Sequence, residues 1–158
     1  MQISHLTAFK GEEGVRRLVK ALQLQPLVRD EELAVELAKR VKLEDVPAGA
    51  TLITEGATDT DLFLILAGEF SIVANRRVVA RKIAGEQVGE MAVVDPDARR
   101  SASAIAAADS VVARISEAEF SALADRFPRL WRRIAMALAS RLRYESEPQP
   151  VHRNGRAA

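Results

Sequence analysis

The sequence predicts an α+β protein in which a β-roll, or jelly roll, of about eight short strands lies between N-terminal helices and two C-terminal helices. Three observations support this fold class. Apolar residues recur at helical spacing over residues 12–40, and short β-favouring runs separated by turn residues fill 41–115. A helix-start signal at Ser116 then opens a second helical region. The 158 residues, 48% of them hydrophobic, suffice for one domain with its own core.

Residues 1–40 are predicted to form two packing helices rather than one. Gln25-Pro26 interrupts the helical pattern, because proline restricts the residue before it and cannot continue a helix. The second helix is expected to begin near Asp30, whose side chain is a good N-cap and is followed by acidic residues.

The β-roll is predicted over residues 41–115. Leu62 to Leu66 is a continuous apolar run of strand length, and Asn75-Arg76 is the expected tip of a hairpin. A further turn is predicted at Ala84-Gly85-Glu86. The runs interpreted as strands are 51–54, 62–66, 70–74, 78–80, 103–107 and 111–115.

Residues 116–146 are predicted to form two helices. Ser116 and Glu119 have the spacing of a capping box, and Phe127-Pro128 ends the first helix. The second runs from Pro128 to Tyr144 and has an apolar stripe beside many arginines. Residues 147–158, which begin with a proline-containing segment, are expected to be a flexible tail.

The stretch from Gly89 to Ala106 contains the candidate site. It combines a glycine and a lone carboxylate, Glu90, with a short apolar turn, two arginines and a run of small residues. Arginine matches phosphate oxygens with a planar fork, and small residues let a ligand approach the backbone. One phosphate and one sugar hydroxyl would satisfy this set. The spacing also leaves open an internal ion pair between Glu90 and Arg100, or a solvated Arg100.

Three motifs in order resemble the cyclic nucleotide-binding domains of bacterial catabolite activator proteins, cyclic-nucleotide-dependent kinases and gated channels. The resemblance covers roughly residues 30–146. The motifs are Pro47-Ala48-Gly49 with Ile53, Glu55 and Gly56; Asp61-Leu62-Phe63-Leu64-Ile65 with Gly68-Glu69; and Gly89-Glu90-Met91-Ala92 with Arg100-Ser101-Ala102. The third is similar to the family's phosphate-binding cassette, here residues 89–103.

The resemblance implies a role for each matching residue. The cyclic phosphate would be bound by Arg100, Ser101, Ala102, Ala92 and Met91, and the ribose by Glu90 and Gly89. The last two helices would form a hinge and lid, so Arg141, Leu142 and Tyr144 are candidates to contact the base. Arg99 is expected to be a surface charge beside the site. Ser101, where guanine-selective members of the family tend to have threonine, favours cyclic AMP over cyclic GMP.

Composition and the lack of certain motifs argue against DNA binding, enzymatic activity and membrane association. The formal net charge of +1 and the lack of a helix-turn-helix make DNA an improbable partner. No cysteine is present, and His5 and His152 both lie outside the β region, so we expect no metal, no cofactor and no enzymatic activity. We also expect neither a signal peptide nor a membrane span, hence no membrane contact and a cytoplasmic location.

These observations predict a stand-alone cyclic nucleotide sensor that signals to a protein partner in trans by moving its C-terminal helices. The alternative is a non-catalytic protein-interaction module with a vestigial nucleotide site. Apolar residues of the last helix could pair two copies as a homodimer, or the helix could fold over its own β-roll as a monomer. The residues considered for the dimer are Leu130, Trp131, Ile134, Leu138 and Leu142.

Overall fold

The computed structural model describes residues 5–146, with side chains up to residue 143. A 3₁₀ turn at His5–Phe9 precedes five helices and eight strands. The helices are α1 (Gly11–Gln23), α2 (Glu31–Ala38), α3 (Glu90–Val94), α4 (Glu117–Arg126) and α5 (Arg129–Ser146). The strands are β1 (Lys42–Val46), β2 (Thr51–Ile53), β3 (Leu62–Ala67), β4 (Glu69–Ala74), β5 (Arg77–Ile83), β6 (Gln87–Val88), β7 (Ser103–Ala106) and β8 (Ser110–Ile115).

The eight strands form two four-stranded antiparallel sheets, which confirms the predicted β-roll. The first sheet has the order β1-β8-β3-β6 and the second β2-β7-β4-β5. The sequence did not predict β1 or β6. Three of the five residues of β1 are charged, and β6 has only two residues, so neither shows a clear alternating pattern. Both depend on pairing with a neighbouring strand.

Strand β3 belongs to two hydrophobic cores at once. Leu62 and Leu64 point towards the helices, whereas Phe63 and Ile65 point between the two sheets. Successive side chains of a strand face opposite sides, so a strand buried on both faces has no polar positions. This explains the continuous apolar run that the sequence shows here.

The hairpin between β4 and β5 turns at the predicted dipeptide. Asn75 and Arg76 both have positive φ, 51° and 63°, as a two-residue hairpin loop with the twist of its strands requires. Asparagine tolerates this conformation better than most residues, whereas arginine does not favour it. The short loop sets the position of β5, which forms an edge of the second sheet.

The helix-start signals act as predicted. The Asp30 side chain accepts a hydrogen bond from the Leu33 N–H at 2.9 Å, and Ser116 accepts one from the Glu119 N–H at 3.2 Å. Each bond satisfies a backbone donor that the first turn of a helix leaves free. Phe127 follows α4 as its C-cap.

The apolar face of α5 packs within its own chain, which is one of the two arrangements expected for it. Leu130 and Ile134 were considered for a homodimer, but both are 0% exposed and pack in the core formed by the helices and β3. Trp131 and Leu138 are half-buried against the same core. These four residues pack against their own chain because the helix folds back onto the β-roll. Among the helices of the described part, none is both long and apolar enough to cross a membrane.

Asp30 also connects the N-terminal helices to α5. Arg129 donates to both of its carboxylate oxygens, each at 3.0 Å, and Arg133 lies 3.5 Å from one of them. Arg133 further donates to the carbonyls of Leu27, at 3.3 Å, and Val28. The hydrogen bonds from Arg129 hold the pKa of Asp30 below its ordinary value, against the opposing effect of burial. The start of α5 is therefore attached to the loop before α2.

We expect Asp30→Asn to lower the melting temperature at pH 7 by a few degrees, because asparagine keeps the helix cap but loses the ion pairs. A carboxyl whose pKa is lowered by folding stabilises the fold above its unfolded pKa, about 3.9. That stabilisation is lost as the pH falls through the folded-state pKa. Thermal unfolding followed by circular dichroism should therefore show the difference from wild type shrinking below about pH 4.

The matched control is Glu31→Gln, because Glu31 is an exposed carboxylate in the same helical turn. Its melting temperature should change little at either pH. A difference between Asp30→Asn and wild type that stayed constant down to pH 2.5 would contradict the role given to this ion pair.

Candidate functional site

A cavity of about 740 Å³ opens between the second sheet, α3 and the C-terminal half of α5. Its volume falls within the range of small-molecule sites. Its wall carries more positive than negative side chains. The cations are Arg81, Lys82, Arg99, Arg100 and Arg141, and the carboxylates are Glu86 and Glu90. A cavity with this balance favours an anionic ligand.

Gly89 makes the close packing at the start of α3 possible. It has φ of +90°, and a Cβ atom at this position would lie 2.8 Å from both Arg100 Nη1 and the carbonyl oxygen of Asp61. A side chain here would be strained and would push against the groups that hold Arg100. Glycine at position 89 therefore meets a requirement of both conformation and space.

Arg100 lies on the cavity wall, yet its side chain is only 4% exposed. Nη2 donates to the Asp59 carboxylate at 2.8 Å and to the Asp61 carbonyl at 2.7 Å, and Nη1 makes a long 3.4 Å contact with the Gly89 carbonyl. Its Nε is buried with no hydrogen-bond acceptor. Arg100 is thus neither solvated nor paired with Glu90, and one of its donors remains unsatisfied.

The backbone of Arg100 is held as firmly as its side chain. Its N–H donates to the Ala57 carbonyl at 2.8 Å, and its carbonyl accepts from the Gly56 N–H at 2.8 Å. These bonds join the candidate cassette to the irregular connection between β2 and β3. The same connection contains Asp59 and Asp61, so it surrounds Arg100 from both its backbone and its side-chain ends.

Asp59 is a member of the site that the sequence did not predict. The hydrogen bond from Arg100 is the main reason that the pKa of Asp59 lies below its ordinary value, and burial opposes this effect. Asp59 lies 41 residues before Arg100 in the sequence, and the side chain is half exposed. The only local signal was a small acidic cluster with Asp61, which does not indicate a partner.

Glu90 lies at the first position of α3 and its side chain is only 10% exposed. Arg141 Nη1 reaches from α5 to within 3.8 Å of Glu90 Oε1 and 3.4 Å of Met91 Sδ. Arg141 Nη2 lies 3.5 Å from Ser101 Oγ. These long contacts form a polar bridge by which α5 covers α3 and the segment after Arg100.

Most of the residues predicted from the sequence line the cavity together. They are Gly89, Glu90, Met91, Ala92, Arg100, Ser101, Ala102 and Arg141. The Ala92 N–H, a candidate phosphate donor, already makes a 3.3 Å bond to the Gly89 carbonyl. Arg99 is exposed at the rim and donates to the Gly56 carbonyl at 3.3 Å.

Of the three residues expected to contact the base, one lies on the cavity wall. Arg141 reaches it, but Leu142 is 65% exposed and is not on its wall, because consecutive helix residues point about 100° apart. The side chain of Tyr144 and the tail at 147–158 lie outside the described residues. The structure adds Ala137 and Ser140 of α5 and residues 79–82 of β5. Their sequences carry no motif, so only the fold could identify them.

Among the side chains described, those of residues 5–143, no three of histidine, aspartate or glutamate lie together in a way that could hold a metal ion. The charged groups on the cavity wall are four arginines, Lys82 and two carboxylates.

Comparisons with known proteins agree with this geometry. Residues 43–127 match the family model described as cyclic nucleotide-binding domain. The chain belongs to the cyclic nucleotide-binding domain family. The catabolite activator protein of Thermus thermophilus superposes with a TM-score of 0.70 at 28% identity, over 77% of this chain and 60% of that one.

Two curated relatives are more similar in sequence. The Pycsar effector protein XpPycTIR of Xanthomonas perforans is 46% identical over 135 residues, and BcPycTIR of Burkholderia cepacia, also a Pycsar effector protein, is 47% identical over the same length. Each match covers 85% of this chain but 45% of the relative. The chain thus spans about half the length of these curated relatives.

We expect Gly89→Ala to destabilise the fold by more than the strain of its backbone alone. Gly49→Ala is the matched control, because Gly49 has a similar φ of +87° but no atom within 4 Å of an added Cβ. The control should lose about 1–2 kcal/mol of unfolding free energy through strain. Gly89→Ala should lose roughly 1–3 kcal/mol more by displacing Arg100 and Asp61. Urea denaturation measures both; equal losses would contradict the role given to this close packing.

Proposed function

We propose that the chain is the ligand-binding part of a sensor that takes up a 3′,5′-cyclic nucleotide in the cavity beside α3. The cyclic phosphate would lie against Arg100 and the ribose 2′-hydroxyl would donate to Glu90. The observation that carries this proposal is the buried guanidinium of Arg100 on the cavity wall, whose Nε has no acceptor. A buried, unsatisfied donor is costly, and a phosphate oxygen would remove that cost.

The charge of the cavity supports an anionic ligand of this size. Five cations and two carboxylates line it, so a single phosphate would reduce the excess of positive charge. Asp59 neutralises part of Arg100 when no ligand is bound. Because Asp59 occupies one Nη group, Nε and the remaining Nη are the donors left for phosphate.

We propose further that α5 reports whether the cavity is occupied. Arg141 contacts Glu90, and the ribose hydroxyl would compete for the same carboxylate. Ligand binding would therefore change the contacts that hold the end of α5 over α3. The equilibrium between the two placements of α5 shifts only if the ligand binds more tightly to the protein in one placement than in the other.

The partner that receives the signal is also part of the proposal. The two Pycsar effector proteins that resemble this chain are about twice as long as the part that it matches. We propose that the chain itself is not catalytic and that its signal passes to a second domain, either fused to it or in trans. A homodimer through α5 and a cytoplasmic location remain predictions.

The preferred base is a prediction from Ser101, which favours cyclic AMP over cyclic GMP. The cavity volume of about 740 Å³ admits either purine and also a pyrimidine, so size does not select the base. Ser101 lies beside Arg141 on the wall, where a threonine methyl group and hydroxyl would alter the contacts offered to a base.

Isothermal titration calorimetry with the cyclic nucleotides of adenine, guanine, cytosine and uracil tests the function. We expect one site per chain and, for Arg100→Ala, a loss of about 2–5 kcal/mol in binding free energy, as for truncation of a buried charge partner. Glu90→Gln should lose less, about 1.5–3 kcal/mol. Arg99→Ala is the matched control, because Arg99 has the same charge but is exposed. Its affinity should fall by less than about fivefold.

If none of the four nucleotides binds to wild type, the vestigial interaction module replaces the proposed sensor. If a nucleotide binds equally well to Arg100→Ala and the melting temperature shows that the variant is folded, the phosphate lies elsewhere. Hydrogen exchange of α5 at saturating ligand tests the movement separately, since unchanged protection would leave binding without the proposed signal.

We expect Ser101→Thr to shift the preference towards cyclic GMP, because the hydroxyl is kept and the methyl group restricts its orientation. The measurement is the ratio of the two dissociation constants, compared with the same ratio for wild type. Ser103→Thr is the control, because Ser103 also lines the cavity but its Oγ accepts a hydrogen bond from the Glu55 N–H instead of lying beside Arg141. An unchanged ratio in Ser101→Thr would remove Ser101 as a determinant of the base.

A further inference from the structure

Arg114 is a partly buried arginine of β8 that does not line the cavity. Its side chain is 37% exposed, and its guanidinium lies 5.2 Å from the centre of the Phe63 ring. Phe63 is its direct neighbour on β3. Packing over an aromatic face limits where the guanidinium of Arg114 points.

Two carboxylates hold this guanidinium at the end of the first sheet. Nη1 lies 3.2 Å from Glu44 Oε1, and Nε lies 3.1 Å from Asp61 Oδ2. The second contact is an ion pair without the alignment of a hydrogen bond, since the Nε donor has no hydrogen-bond partner. Glu44 and Asp61 are both more than two thirds buried, so solvent screens these pairs less than it screens surface pairs.

Asp61 connects Arg114 to Arg100. Its carboxylate lies against Arg114, while its carbonyl oxygen accepts the 2.7 Å hydrogen bond from Arg100 Nη2. Asp61 is the last residue of the irregular connection 54–61, so no strand ladder fixes it. Ala57 is held by the Arg100 backbone at one point of this connection. The ion pair with Arg114 fixes the other end.

We propose that Arg114 is a positioning residue for the nucleotide site: it anchors Asp61, whose carbonyl sets the orientation of the Arg100 guanidinium. The inference rests on the proposed function for its effect on binding, but not for its effect on Arg100. Without Arg114, the end of the 54–61 connection gains freedom and Arg100 loses one of its two close acceptors. Asp59 still holds Arg100, so the effect on affinity is partial.

The test is a titration of the full chain with whichever of the four cyclic nucleotides binds wild type most tightly. Arg114→Gln should weaken binding by about two- to thirtyfold, the range for residues that act on a site through others. Arg114→Lys keeps a cation near Asp61 and should recover most of the affinity. Arg40→Gln is the matched control, because Arg40 is a similarly buried arginine that is paired with Glu36 at 2.8 Å and does not line the cavity. Its affinity should equal that of wild type.

A double-mutant cycle separates positioning from a general loss of stability. Asp61→Asn removes the carboxylate but keeps the carbonyl that accepts from Arg100. If Arg114 acts through Asp61, the double variant should bind no more weakly than the weaker single variant. Additive losses, or an Arg114→Gln variant that binds like wild type, would overturn the proposal.

The Nε–H resonance of Arg100 provides a readout that needs no ligand. In ¹H–¹⁵N spectra, Arg114→Gln should shift this resonance or broaden it, whereas Arg40→Gln should leave it unchanged. Should wild type bind no cyclic nucleotide, the proposed function fails, and this resonance still decides whether Arg114 positions Arg100. An unchanged resonance would overturn the positioning role whatever the titration shows.

Discussion

Arg100 must keep a full positive charge almost entirely away from water, and the architecture of the site follows from that requirement. A buried cation is tolerated only when acceptors surround it. Asp59 and the Asp61 carbonyl supply the close ones, at 2.8 and 2.7 Å, and both come from the connection between β2 and β3. Gly89 has no side chain because that space belongs to the Arg100 guanidinium and the Asp61 backbone. Only the Nε donor of Arg100 is left without an acceptor. A hydrogen bond from Nε is therefore the largest new interaction that Arg100 offers an anionic ligand.

Helix α5 links this site to the other end of the molecule. At its start, Arg129 and Arg133 are held by Asp30 and the loop before α2, and its middle is buried in the helical core. Only towards its end does Arg141 reach Glu90 and Ser101 through contacts of 3.5 to 3.8 Å. The two hydrogen bonds from Arg129 to Asp30, each 3.0 Å long, are shorter than any of these contacts at the end. The end of α5, beside the cavity, is therefore held by longer contacts than its start.

The elements that the sequence predicts most accurately are those that a local rule decides. Asp30 and Ser116 cap helices because a short polar side chain satisfies free N–H groups within three residues. Asn75 and Arg76 form a two-residue hairpin loop, in which both residues have positive φ. The apolar run from Leu62 to Leu66 forms a strand that is buried on both faces. Strands β1 and β6 escape such rules, because their sequences show little alternating pattern and they form by pairing with β8 and β3. The apolar stripe of α5 is evident in the sequence, but the sequence leaves open whether that stripe packs against the same chain or against a second copy.

The sequence by itself determined the family, the β-roll, and the grouping of Gly89, Glu90 and Arg100 around one cavity, since these depend on motifs and on short-range patterns. Only the tertiary structure decided what holds Arg100. Asp59 and Asp61 lie about 40 residues before it, and Arg114 approaches Asp61 from a different strand. Acidic residues occur on every soluble surface, so no local signal distinguishes those that pair with a buried cation. That choice is made by the chain path, which brings the β2–β3 connection, the β8 strand and the cassette to the same end of the roll.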